Sequence, residues 1–198
     1  MKSSLRVLFP LIIATTSYGQ VITHDDFKAI IPFLEKEDFK GAFTKTNKLL
    51  NSTRNDTSEL RGIVTYMNIF SAAGMVTLGQ MTYNDFSKNA NKYLGQHIVM
   101  SAHPCIDSSA KGWNSLQFST TDEGKLQGMT VTPNNANTHI LFFEYFDYYD
   151  TIIPSDFIGK NVRCGGILQA VDTNPNKSKI WVARLHIANA FARVMTPR

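Results

Sequence analysis

Hydrophobic positions along the chain recur with two periods, and the change from one to the other falls near Gly95. Before it the spacing is helical. Phe27, Ile30, Ile31 and Leu34 follow a Thr23 or Asp25 cap with acids in the first turn. Pro32 inside that run predicts a kink or a break. Phe39, Ala42, Phe43, Thr46 and Leu49–Leu50 share one face of a second helix over 38–50. The polar stretch 51–58 connects it to a third helix, opened by Ser58 and Glu59 and carrying Leu60, Ile63, Val64, Met67, Phe70 and Ala73. A short helix restarts over 81–86, with Thr82 as cap and Asp85 in the capping-box place.

After Gly95 the period is two. Segments 97–105, 115–120, 126–132, 139–146, 161–171 and 179–187 read as strands, separated by the turn-rich runs DSSAKG, TDEG, PNNAN and DTNPNK. Short strands at this density favour a small closed barrel over a sandwich. The expected fold class is α+β: an N-terminal helical hairpin bundle (23–90), a small antiparallel β-barrel (91–190) and a C-terminal tail (191–198). Gly165-Gly166 inside a strand reads as a bulge or a barrel corner rather than a phosphate cradle.

One phrase occurs twice in the second half. Residues 93–99 read YLGQHIV and residues 157–163 read FIGKNVR, each leading into a strand. The phrase resembles the start of the first and fourth strands in OB-fold domains of the tRNA-anticodon-binding-like type, over roughly residues 91–187. That resemblance implies an OB-like barrel whose first and fourth strands are antiparallel neighbours. Gly95 and Gly159 would then permit tight lead-in turns, with Leu94 and Ile158 buried beside them. The long stretch between Cys105 and Asp156 departs from the family's compact pattern. In the first half, EKEDFKGAFTKTNKLL (35–50) is similar to the first helix of a tetratricopeptide-type repeat. No second copy follows at the repeat's period of about 34 residues, so the likeness covers one helix pair.

Composition changes the setting. Residues 1–19 pair a basic start (Lys2, Arg6) with an apolar run, Val7–Ala14, and a small-x-small ending at Gly19. This is the pattern of a secretory signal peptide, and it places the mature chain in a secreted or periplasmic location. No later stretch is long and apolar enough for a transmembrane segment. Removing the leader deletes Lys2 and Arg6 and no acid, so the net charge of +4 falls to about +2. A high pI is therefore no argument for nucleic acid. An exported chain with two cysteines, Cys105 and Cys164, favours a disulfide, with two separate buried thiols as the alternative. If the two phrase-bearing strands pair antiparallel, the cysteines can face each other across them.

The candidate chemistry is sparse. His97, His103 and Cys105 are the most metal-like group, but no second Cys/His pair accompanies them, so neither a metal nor a cofactor is expected. Nucleophile-elbow, phosphate-loop, HExxH and CxxC patterns are absent. The stretch LFFEYFDYYD (141–150) concentrates aromatics. Alternation places Phe142, Glu144, Phe146 and Tyr148 on one face and Leu141, Phe143, Tyr145, Asp147 and Tyr149 on the other. One row must form core, and the other is either buried too or a binding surface. Tyr145, Tyr148 and Tyr149, joined by Trp113 from a preceding loop, form the candidate ligand-binding set. Its interleaved acids would repel phosphates, which argues against nucleic acid. The sequence thus favours a non-enzymatic binding or scaffolding protein for a protein or glycan partner. The alternative is a small secreted hydrolase using carboxylates of 144–150 with His139 or His186.

Overall fold

The computed structural model describes residues 21–110, 112–174 and 180–196, and the leader-like residues 1–19 lie outside that range. Five helices come first: α1 (His24–Lys28), α2 (Ile31–Glu35), α3 (Phe39–Ser52), α4 (Glu59–Thr77) and α5 (Tyr83–Ala90). Their starts follow side-chain chemistry. Thr23 and Asp26 form a capping box on α1, and Asp38, Ser58 and Thr82 each accept a first-turn N–H on α3, α4 and α5. Pro32 lies in the first turn of α2, where a missing N–H costs nothing, and the helical run divides just before it.

Six strands follow: β1 (His97–Pro104), β2 (Leu116–Thr120), β3 (Leu126–Pro133), β4 (Ile140–Tyr148), β5 (Asn161–Thr173) and β6 (Trp181–Val194). They form one sheet in the order β1-β5-β6-β4-β3-β2, antiparallel throughout except for the parallel pair β4·β6. The sheet curls into a half-barrel, and its two ends touch where Cys105, just past β1, bridges Leu116 at the start of β2. β6 runs further than the expected boundary at 190. Phe191–Val194 pair with β5 rather than forming a tail. Asn189 breaks the alternation that sequence reading relies on, because it takes a left-handed φ of 47° where the β5–β6 register shifts.

The repeated phrase does mark two neighbouring, antiparallel strands, β1 and β5. Gly95 and Gly159 have φ of 78° and 79°, a region that favours glycine. Their N–H groups bond reciprocally, Gly95 to Leu168 O of β5 and Gly159 to Cys105 O beyond β1. The expected burial of Leu94 and Ile158 is not found; both are about two-fifths exposed. The aromatic one residue earlier anchors each turn instead. Tyr93 is buried, and Phe157 packs its ring on Phe118. Gly165 lies at the expected bulge, where a Cβ would come within 2.7 Å of Ile98 O.

One hydrophobic core runs through helices and strands together, from Ile30 and Phe39 through Val64 and Ile69 to Phe142, Phe146, Leu168 and Leu185. The helices are therefore not a free-standing bundle. α4 packs on α3 with one side, while its Tyr66 and Phe70 rings meet Phe142 of β4. A large share of its length is buried because it has neighbours on several faces.

Candidate functional site

The inward row of β4 carries the most perturbed acid among the described residues. Glu144 lies between Phe142 and Phe146 and is fully buried. Three hydroxyls donate to it: Tyr66 of α4 to Oε1 at 2.8 Å, and Thr130 and Thr132 of β3 to Oε2 at 2.7 and 3.1 Å. Burial pushes its carboxyl up to about 7, and the three hydrogen bonds pull the other way. Burial and the neighbouring carboxylate push the Tyr66 phenol well above its ordinary range. Every polar atom of this group is engaged, and none of the three donors is exposed. The arrangement ties α4 to the sheet; it offers no room for a substrate.

Beside this group, and sharing Tyr66 with it, an open trough of about 370 Å³ runs between the helices and β1. Its floor is the stripe Ile63, Tyr66, Met67 and Phe70, spaced i, i+3, i+4, i+7 so that all four share one helix face. Phe27, Ile31 and Leu34 of α1 and α2 form one wall. Met100, Ser101 and Ala102 form the other, at a β-bulge where two β1 residues oppose the single Cys164. One end is closed by Asn135, whose side-chain amide donates to the carbonyls of Leu34 and Glu35. Arg163 stands in the lining, paired with Ala102 in the sheet. Its Nη1 reaches Glu59 Oε1 at 3.1 Å, and Arg193 reaches the other oxygen at the same distance. Two guanidiniums thus share one carboxylate, and the buried Nε of Arg163 has no hydrogen-bond partner.

No protein family model, no curated protein and no solved structure matches the chain. The site is therefore read from its own geometry.

The residues proposed from sequence do not gather. Tyr149 is 80% exposed and Trp113 is 49% exposed. Trp113 precedes Asn114, whose N–H bonds Val131 at one end of β3, whereas Tyr149 lies beyond the Gln127–Asp147 pair at the other end. Roughly 13 Å of strand separates those ends. Tyr145 stacks on His186 on the outer face, at 5.3 Å and 17°. Tyr148 belongs to the interior, against Phe118 and Phe146, with its hydroxyl 3.7 Å from Cys164 Sγ. The acids and histidines of the hydrolase alternative do not converge either. His186 pairs with Asp172, His139 bonds Thr138, Asp147 accepts from Gln127, and Glu144 is sealed.

The expected bridge between Cys105 and Cys164 is not formed, and both are buried thiols. The strands pair as anticipated, but Cys105 N–H bonds Lys160 O, so the register sets Cys105 four residues away from Cys164. Burial raises the Cys164 thiol to about 12 and the Cys105 thiol more modestly. Among the described residues no group of three His, Cys, Asp or Glu side chains could hold a metal ion. His103 is buried, with Nδ1 3.2 Å from Asn114 O and Nε2 3.4 Å from Ser101 Oγ. A carbonyl can only accept, so Nδ1 carries the proton and Nε2 accepts from the serine. Burial also lowers this ring's affinity for a second proton.

A larger hollow, about 570 Å³, lies near the α3–α4 connection and includes Arg54, Asp56, Arg61, Lys92 and His97. Its central polar groups are already used. Arg61 Nη1 donates to the carbonyls of Leu50 and Thr53, and Asp56 accepts from the N–H groups of Ile22 and Ser58. The trough escaped sequence reading because Ile63, Met67 and Phe70 have the spacing of core residues. A helix with more apolar stripes than neighbours to cover them was the available signal.

Proposed function

We propose that this chain is an exported, non-enzymatic binding protein in which an OB-like barrel carries a helical cap, with the ligand seated in the trough between cap and β1. The sheet order supports the barrel reading. If β1 and β2 are the two halves of one interrupted first strand, β5 becomes the fourth, and first and fourth are antiparallel neighbours. A tetratricopeptide-like reading of 35–50 would use α3 and α4 as its hairpin. The leader-like residues 1–19 support export.

One observation carries the binding reading. Phe27, Ile31, Leu34, Ile63, Met67 and Phe70 leave their apolar surface half-buried around an open hollow in which Arg163, the one cationic group of the lining among the described residues, has a buried donor without a partner. The strongly perturbed acid lies out of reach behind Tyr66. A neutral, environment-sensitive dye such as Nile red should bind the purified chain saturably at one site. Met67→Trp, which fills the trough, should abolish that binding and leave melting nearly unchanged. Equal binding by the filled variant would overturn the seat. Ester hydrolysis that disappears in Ser101→Ala would overturn the non-enzymatic reading, because Ser101 lines this wall with its hydroxyl 3.4 Å from Nε2 of the buried His103. Export is tested separately, by finding secreted material that begins at Gln20 rather than Met1.

A further inference from the structure

Resting on the trough as the ligand seat, we infer that its ligand is a single-chain fatty carboxylate, lying extended along α4 with its carboxylate at Arg163. Shape limits the choice first. The stripe from Ile63 to Phe70 covers about 10 Å of helix axis, and the hollow holds about 370 Å³. An amphipathic helix is about 10–12 Å across and does not fit such a space. A single extended chain does.

The walls narrow the chemistry. The floor is α4, whose mid-helix N–H and C=O groups are bonded within the helix. Apart from Glu35 at one end, the side chains that the helices present are apolar or, for Tyr66, have their hydroxyl already bonded. A glycan or an extended peptide would lose water from many polar groups there and recover few hydrogen bonds. An alkyl chain loses none. It needs a polar partner only at one end.

Charge then fixes the orientation. At the end of the trough near the start of α4, Arg163 and Arg193 share Glu59, leaving one uncompensated positive charge. The side chain of Arg163 lines the hollow and is 27% exposed, so it is within reach of a ligand without being solvated freely, although its Nε is itself buried. Toward the other end lie Asn135, already spent on backbone carbonyls, and the exposed acid Glu35. A carboxylate is attracted to the first end and repelled from the second.

The test is displacement of Nile red from the purified chain by dodecanoate, dodecanol and dodecyltrimethylammonium. Dodecanoate should compete best. Arg163→Gln should weaken dodecanoate about tenfold or more while leaving the dye and dodecanol within twofold. Arg193→Gln, which removes the excess charge from outside the lining but leaves the Arg163 guanidinium in place, should weaken dodecanoate clearly less than Arg163→Gln does. An equal or larger loss would overturn Arg163 as the carboxylate's partner. If the dye binds but dodecanoate does not displace it, the ligand class is wrong and the seat survives. If Arg163→Gln weakens dodecanol as much as dodecanoate, the carboxylate assignment fails. Better displacement by an apolar peptide with a free C-terminus would also overturn the proposal in favour of a peptide ligand. Absence of dye binding would overturn the seat itself, and this inference with it.

Discussion

Two neighbouring regions along α4 treat polar groups in opposite ways. Toward β3 and β4, Tyr66 delivers its hydroxyl to Glu144, and Thr130 and Thr132 complete a closed set of hydrogen bonds in a fully buried place. Toward β1, Arg163 stands at a half-open apolar trough with one donor unfilled and its charge only partly matched. A buried network with every member satisfied stabilises and specifies packing. A partly satisfied one beside an opening is where an outside group can add something. The contrast separates structure from function more sharply than residue type does, since the acid most suggestive of catalysis belongs to the structural side.

Breaking the closed side should have the largest effect. Glu144→Ala removes the common acceptor and leaves the Tyr66, Thr130 and Thr132 hydroxyls buried without a partner. We expect a loss of about 4 kcal/mol in denaturant unfolding. A loss below about 1 kcal/mol would mean that water enters this region and that the acid is accessible after all.

Two adjacent tyrosines give the next test. Tyr148→Ala should cost about 3 to 4 kcal/mol, because the ring fills the barrel interior against Phe118 and Phe146. Tyr149→Ala should change stability by less than about 0.5 kcal/mol, since its ring is 80% exposed. Similar losses at both positions would show that the β4 alternation ends elsewhere.

That pair also shows how far the sequence was legible. Alternation separates interior Phe142, Glu144 and Phe146 from exposed Asp147 and Tyr149, but Leu141, at the β3–β4 register shift, is buried in the core. Each of the six strands overlaps its expected segment, with β6 running on to Val194. Which row was interior, and whether Tyr148 was still inside the barrel at the strand's end, depended on curl, which no local pattern encodes. The repeated phrase located neighbouring strands but not their register. The pairing sets Cys164 opposite the bulge at Met100–Ser101, and Cys105 falls four residues further along, beyond the Pro104–Asn161 pair. The Glu144 group did leave a trace: an acid in an aromatic row, and two threonines spaced to share one strand face. Only pairing of β3 with β4 makes that trace readable, with Thr130 opposite Glu144 and Thr132 opposite Phe142.

The closed side can also be probed by pH. Glu144 titrates near 7 in the folded chain, against an ordinary value of 4.5. Below 4.5 both states are protonated, and the contribution of the neutral acid is fully present. Between 4.5 and 7 the unfolded chain releases its proton while the folded chain keeps it, so stability falls as pH rises. Above 7 both states are ionised and the dependence levels off. The total is about 3 kcal/mol. Melting temperature should therefore decline from about pH 5 to pH 8 in the native chain and do so much less in Glu144→Gln, whose amide is neutral throughout. An equally steep decline in Glu144→Gln would assign the effect to other groups.

The smallest stability change belongs to the open side. Arg163→Gln removes one of two guanidiniums from Glu59, and Arg193 remains to pair with that carboxylate. The lost ion pair is partly solvated and screened, and its contribution is below about 1 kcal/mol. The substitution also removes an unsatisfied buried donor, which offsets part of that loss. Unfolding should therefore shift by less than about 1 kcal/mol in either direction, in contrast to Glu144→Ala. A loss as large as that of Glu144→Ala would mean that Arg163 is held for the fold. The two regions would then be alike, and the trough would lose the group that sets its ligand's charge.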